Sequence, residues 1–125
     1  MKITRQKLKK LILQEMARGW LPPNYKMLSY IEEDLIREFG HHPGVAKISI
    51  KHGSVYVQLS ERSDRNRMQF IRIIYRRDIG TLLALHLEST IGMMSMEEVH
   101  TAKLDIRDDG VFRKLRNYVH EIVAI

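Results

Sequence analysis

The six histidines are the first residues of this 125-residue sequence that suggest site chemistry, because histidine binds metals and transfers protons. His41, His42 and His52 are the most closely spaced group. A strand predicted between His42 and His52 would separate them by about 23 Å, at ~3.3 Å per residue. The sequence contains no cysteine, no HExxH pattern and no aspartate-rich loop, which are common elements of zinc and calcium sites. We therefore expect neither a metal nor a cofactor.

The carboxylates do not suggest catalysis either. Glu32, Glu33 and Asp34 are consecutive, and consecutive side chains on a helix point about 100° apart rather than toward one substrate atom. His86 and Glu88 would share one face of a strand, but no nucleophile or oxyanion donor accompanies them. The glycines stand singly, without a phosphate-binding or dinucleotide-binding pattern. The sequence predicts a protein that is not an enzyme and has no small-molecule substrate.

Length, charge and hydropathy are typical of one small basic domain that covers residues 1–125. A chain of this length buries roughly two-thirds of its unfolded surface, and 44% hydrophobic with 29% charged residues is an ordinary globular composition. The formal net charge of +6 favours anionic partners, such as nucleic acid or an acidic protein surface. No apolar run approaches the ~18 residues of a membrane span and no secretory pattern opens the chain. We expect a cytoplasmic protein without a membrane partner.

Two amphipathic segments predict an N-terminal helical hairpin. The first covers residues 5–18, with Lys7 and Lys10 on its outer side. Its predicted buried stripe consists of Leu8, Leu11, Ile12 and Met16. The second segment follows two prolines, which cannot continue a helix, and has Asn24 or Ser29 as its cap. Its predicted buried residues are Leu28, Ile31, Leu35 and Phe39.

A strand and a third helix are predicted at the end of the chain. Thr101 to Arg107 alternates, with Ala102, Leu104 and Ile106 on one face. Asp108, Asp109 and Gly110 then begin a helix, since carboxylates suit its positive N-terminus. The apolar stripe of this helix consists of Val111, Leu115, Tyr118, Val119 and Ile122.

A β-hairpin is predicted from Val45 to Ser60. The residues up to Lys51 alternate as a strand, and His52-Gly53 forms a two-residue turn before the chain returns. The turn sets three pairs: Ile50 opposite Val55, Ile48 opposite Val57, and Ala46 opposite Leu59.

Residues 68–88 predict a second, central hairpin whose strands are joined by Asp78-Ile79-Gly80, with the glycine where a left-handed residue costs least. This loop gives an apolar face in which Tyr75 pairs with Leu83, Ile73 with Leu85, and Ile71 with Leu87. A helix within residues 81–100 is the main alternative, because Leu, Ala, Met and Glu favour helix. Ser95 to Glu98 also offers a capping box for one short helical turn.

The other face of this predicted sheet combines cations, aromatic rings and a histidine. Its members are Lys47, Lys51, Tyr56, Phe70, Arg72, Arg76 and His86. If a helix covers the face, the arginines reach only its rim. If the face stays open, it suits single-stranded nucleic acid, because aromatic rings stack on bases and cations neutralise phosphates. Lys7, Lys10 and the charged linker at residues 61–67 extend this candidate surface.

Together the elements predict an α+β fold: an N-terminal helical hairpin, a four- to five-stranded antiparallel sheet and a C-terminal amphipathic helix. Two functions rank nearly equal, ahead of a third in which a helix binds in a groove of another protein to inhibit or regulate it. The first is a non-enzymatic binding protein that engages nucleic acid through the basic sheet face and the first helix. The second is a self-assembling structural or adaptor protein, for which Leu13 and the methionines of residues 93–96 offer adaptable apolar contacts.

The opening segment MKITRQKLKKLI resembles the first helix of many small proteins encoded by tailed bacteriophages. These proteins often begin with M-K-I-T followed by a basic amphipathic helix. The resemblance covers residues 1–12. It implies a virion or infection-related protein, and it assigns no functional residue.

Overall fold

A computed structural model describes residues 21–60, 67–90 and 97–123, together with Lys7, Lys10, Leu11 and Gln14. The elements are α1 (Asn24–Phe39), β1 (Val45–Lys51), β2 (Ser54–Leu59), β3 (Arg67–Arg76), β4 (Thr81–Thr90), β5 (Glu97–Asp105) and α2 (Val111–Val123). The strands form one antiparallel sheet in which each strand lies beside its neighbours in sequence, in the order β1-β2-β3-β4-β5. The predicted α+β fold is confirmed, with five strands.

Only four residues of the predicted first helix belong to the described part of the chain. Lys7, Lys10, Leu11 and Gln14 are helical and exposed. Leu11 is 47% exposed, so its assignment to a buried stripe was wrong. Apolar periodicity identifies the side of a helix that is apolar, and it does not establish that another element covers every residue on that side. Leu13, the linker at 61–66 and the methionines at 93–96 lie outside the described residues.

Helix α1 supplies a large part of the core. Its buried apolar residues are Met27, Leu28, Ile31, Leu35 and Phe39. Neither predicted cap is used, because Pro23 is the N-cap residue and makes no side-chain cap bond. Hydrogen bonds to the preceding connector fix the entry instead: the Tyr75 hydroxyl donates to the Pro22 carbonyl at 2.8 Å, and Arg77 Nε donates to the Leu21 carbonyl at 3.1 Å.

Helix α2 packs beside α1 on the same face of the sheet. All five residues of its predicted stripe are buried, together with Phe112. Two polar contacts join the helices: Arg116 Nη1 lies 2.8 Å from Asp34 Oδ2, and His120 Nε2 lies 2.8 Å from Glu38 Oε1. Both described helices bury their apolar sides in one continuous core with β2, β3 and β4.

The first hairpin is close to its prediction. His52 and Gly53 both have positive φ, 50° and 72°, as a two-residue turn that matches strand twist requires. Ile50 pairs with Val55 and Ile48 with Val57, as predicted. The third pair was wrong, because the register shifts between Val45 and Lys47 and Val45 takes the place opposite Leu59. An extra residue in one strand, a β-bulge, produces such a shift and cannot be inferred from alternation alone.

The predicted register of the central hairpin was wrong by one residue. Arg76 pairs with Thr81, so the loop has four residues, Arg77 to Gly80, rather than three. The pairs on the helix-covered face are Tyr75 with Leu82, Ile73 with Ala84, and Ile71 with His86. Because side chains alternate along a strand, the slip of one residue turns all of β4 over. Leu83, Leu85 and Leu87 therefore lie on the face that has no described helix.

The strand interpretation of residues 81–88 is confirmed, and the alternative helix is not formed by the described residues 81–90 and 97–100. Glu97 and Glu98 begin β5 instead of a short helical turn. Pairing with β4 satisfies the backbone there, with a register shift between His86 and Leu87. Tertiary pairing thus overrides the helix propensity of this segment.

Candidate nucleic-acid interface

The sheet face opposite the two described helices carries the candidate site. Directly paired residues of antiparallel strands point to the same face. One such row crosses all five strands and consists of Ser49, Tyr56, Arg72, Leu85 and Thr101. The row on one side of it consists of Lys47, Gln58, Phe70 and Leu87, and the row on the other side includes Ile74, Leu83 and Lys103. The buried sides of α1 and α2 belong to the core on the other face, so neither of these helices packs on these rows.

The part of this face formed by β1, β2 and β3 is basic and aromatic. We call Lys47, Lys51, Tyr56, Phe70 and Arg72 the basic–aromatic patch. Four of these five residues line a cavity of about 250 Å³; its lining is Lys47, Ser49, Lys51, His52, Tyr56, Gln58 and Phe70. The structure therefore brings four of the predicted site residues together around one concave surface.

Arg72 is the fixed cation of the patch. Its Nε donates a hydrogen bond to the Ser54 hydroxyl at 3.0 Å, and Ser54 is only 1% exposed. The guanidinium carbon lies 5.7 Å from the centre of the Tyr56 ring, within range of a cation–π interaction. Among the described residues, no carboxylate forms an ion pair with Arg72. Its charge is thus held over an aromatic ring without an opposite charge beside it.

Arg76 shares the strand face of Arg72 but has a different environment. Arg76 Nε and Nη2 donate to the two carboxylate oxygens of Asp78 at 3.1 and 2.9 Å. The hydrogen bond from Arg76 lowers the pKa of Asp78, so the carboxylate stays ionised opposite the guanidinium. The predicted site residue is on the correct face, but its charge is matched by a neighbour two residues along the chain.

His86 does not belong to the candidate interface, and its predicted place there was wrong. The one-residue slip of β4 turns His86 toward the helices, where it is 8% exposed and its Nε2 has no hydrogen-bond partner among the described residues. Burial lowers the pKa of His86. His100 and Tyr118 lie beside it on this covered side, with their rings stacked at 5.6 Å. His86 and Tyr118 are buried in this cluster, whereas His100 is exposed at its edge.

Lys7 and Lys10 are exposed, as predicted for the outer side of the first helix, and they lie outside the sheet. They belong to a different element from the basic–aromatic patch, which lies on β1, β2 and β3. Ser54 is a site residue that the sequence analysis missed, although a serine directly after the turn is positioned by the same register that was predicted for this hairpin. The predicted hairpin register already paired Ser54 with Lys51 on the same face, and this pairing could have identified it.

Next to the patch lies an apolar surface, formed by Ile74 of β3 and by three leucines of β4 that the predicted register placed on the other side of the sheet. We call Ile74, Leu83, Leu85 and Leu87 the apolar strip. All four side chains are partly exposed. The open face is thus basic and aromatic over β1 to β3 and aliphatic over β4.

The described residues contain no group of three histidine, aspartate or glutamate side chains able to hold a metal. In the same part of the chain, no helix has the length and apolar character to cross a bilayer. No protein-family model, curated protein or solved structure matches the chain. A functional proposal must therefore rest on the geometry and charge of the open sheet face.

Proposed function

We propose that this protein is a non-enzymatic module that binds single-stranded nucleic acid through the basic–aromatic patch. The observation that carries the proposal is the placement of Tyr56, Phe70 and Arg72 on one sheet face, where the two rings line a cavity together with Lys47 and Lys51. Aromatic rings offer stacking surfaces for bases, and the cations neutralise the phosphates that connect them.

The aromatic part of the patch favours an unpaired strand over a duplex. Tyr56 pairs with Arg72, and Phe70 pairs with Gln58, so the two rings occupy adjacent rows of the face. Such diagonal neighbours are about 7–8 Å apart, which leaves space for bases to lie against either ring. Bases in a duplex are already stacked and do not present their faces to a sheet.

The charge of the patch supports electrostatic attraction to a phosphate backbone. Lys47, Lys51 and Arg72 have no ion-pair partner within the described ranges, and the whole chain has a net charge of +6. If these three residues each neutralise one phosphate of a single strand, the logarithm of the binding constant falls with that of the salt concentration with a slope of about −2.

Fluorescence anisotropy with labelled single- and double-stranded DNA and RNA, between 50 and 200 mM salt, tests the proposal. We expect tighter binding to single strands and a steep salt dependence. The double variant Tyr56→Ala/Phe70→Ala should lose binding, whereas Tyr25→Ala should not, because Tyr25 is 68% exposed on α1, away from the sheet. Absence of binding at low salt, or equal losses in both variants, would contradict the proposal.

The apolar strip favours a second candidate function, self-assembly with another copy of the chain. Ile74, Leu83, Leu85 and Leu87 form an aliphatic surface without a described cover, and contiguous apolar surface of this kind commonly marks protein contacts. A structural role would also suit the resemblance of the opening segment to phage proteins. Light scattering coupled to size exclusion tests this: Leu85→Lys should dissociate an oligomer, and a strict monomer at high concentration would contradict self-assembly.

A further inference from the structure

We infer that the cavity in the patch is a subsite for one unpaired adenine base, and that Gln58 reads its edge. This inference rests on the proposed function and adds base preference to it. Gln58 lies between Lys47 on β1 and Phe70 on β3 in the same row of the sheet. Its amide is therefore placed between a cation and an aromatic ring, both of which line the same cavity.

The size of the cavity suits a single base. Its volume of about 250 Å³ lies below the ~300–1,000 Å³ of sites that enclose drug-sized ligands. A base with part of its sugar matches this space better than a dinucleotide or a polycyclic cofactor would. The rings of Tyr56 and Phe70 provide stacking surfaces, and a purine covers more of such a surface than a pyrimidine does.

The Gln58 amide can distinguish the purines by the edge that carries N7. A glutamine amide presents a donor and an acceptor side by side, and adenine presents the matching pair at its N6 amine and N7 nitrogen. The corresponding edge of guanine carries two acceptors, so the Gln58 amide could use only its donor there. Within the described chain, no hydrogen bond engages the Gln58 side chain. Its donor and acceptor are thus available to a ligand.

The phosphates of the bound strand fit the rim of the cavity. Lys47 and Lys51 lie two rows apart on β1 and are exposed, so their ammonium groups can contact phosphates while the base enters between them. Lysine contacts of this type carry no base preference. Base preference and overall affinity are therefore assigned to different residues and can be separated by experiment.

Anisotropy titrations of equal-length single-stranded oligo-A, oligo-C and oligo-U test the inference. We expect the wild-type protein to bind oligo-A about fivefold or more tightly than the others, the lower bound for one good amide–adenine pair. Gln58→Ala should reduce this preference to the smaller part that purine stacking supplies, and should leave the oligo-C and oligo-U affinities within about twofold. Lys47→Ala should weaken all three equally. Gln14→Ala, at an exposed helical glutamine outside the sheet, is the matched control and should change nothing.

The outcomes separate the inference from the proposed function. If single strands bind and depend on Tyr56 and Phe70, but without preference for oligo-A, the adenine subsite is wrong and the binding function stands. The same holds if Gln58→Ala weakens all three oligomers by one factor. If none of the oligomers binds at low salt, the proposed function itself fails.

Discussion

Arg72 and Arg76 form a natural pair of test positions on one strand face. They lie four residues apart on β3, about 13 Å at ~3.3 Å per residue, and each alanine substitution removes one positive charge. Arg72 hydrogen-bonds to a neutral hydroxyl and lies over Tyr56, whereas Arg76 is paired with the carboxylate of Asp78. We expect Arg72→Ala to weaken nucleic-acid binding strongly and Arg76→Ala to weaken it little.

The size of the difference follows from simple electrostatics. A phosphate about 4 Å from the Arg72 guanidinium in a water-like dielectric contributes about 1 kcal/mol, or about fivefold in affinity. Losing one phosphate contact also reduces the salt slope by about 0.7, so the ratio of wild-type to variant affinity should change by roughly 2.6-fold between 50 and 200 mM salt. Arg76 lies about 13 Å along the strand from Arg72, beyond the ~8 Å screening length at physiological salt, and its charge is already matched by Asp78.

Salt-titrated anisotropy of both variants, with Arg72→Lys as a third, measures these quantities. Arg72→Lys keeps the charge and should keep the slope, while it loses the geometry of the Ser54 hydrogen bond and part of the affinity. Circular dichroism melts check that each variant is folded. Equal slopes and affinities for the two alanine variants would refute the assignment of the site to the patch.

Three further predictions concern stability. Burial lowers the pKa of His86 from its ordinary 6.5. As the pH falls, the unfolded chain therefore takes up the His86 proton before the folded protein does, and the free energy of unfolding should decrease from about pH 6.5 down through the lowered pKa. Thermal melts at pH 7.5 and 5 should show a smaller loss of stability for His86→Leu than for the wild-type protein. Arg116→Ala removes the ion pair with Asp34, which is 7% exposed, and should cost about 1.5–3 kcal/mol in urea unfolding. Tyr75→Phe removes the buried hydrogen bond to Pro22 and should cost about 1–2 kcal/mol in the same assay; no change in either variant would contradict these roles.

The elements with one strict period could be predicted from the sequence. The α2 stripe, with Leu115 at its centre, is buried as its helical spacing indicates. The β1–β2 hairpin has its predicted turn at His52 and Gly53, because positive φ at both positions fits a two-residue turn. In these segments the local backbone preference and the pattern of buried residues both predict the same structure.

The register of β4 could not be predicted in the same way. Residues 82–87 read LLALHL, and apolar residues at odd and even positions alike leave the pattern without a strand period. The predicted three-residue loop and the observed four-residue loop between β3 and β4 therefore both place apolar residues of β4 on the core face. The choice between them is made by tertiary packing, and it decides that His86 is interior and Leu85 lies on the open face.

The candidate site was predicted where it depends on β1, β2 and β3 alone. Tyr56, Phe70 and Arg72 share the face that alternation assigned to them. The partners of the two arginines depend on local side-chain geometry that alternation does not encode. For that reason Ser54 beside Arg72 and Asp78 beside Arg76 emerged only from the structure.

Amide chemical-shift mapping by NMR tests the central claim most directly. A ¹⁵N-labelled protein is titrated at 50 mM salt with an unlabelled single-stranded oligo-A. We expect the perturbed amides to cluster at residues 47–58 and 70–72, with the amides of α1 and α2 unchanged. Perturbations confined to the helices, or no perturbation at saturating oligonucleotide, would contradict nucleic-acid binding by this sheet face.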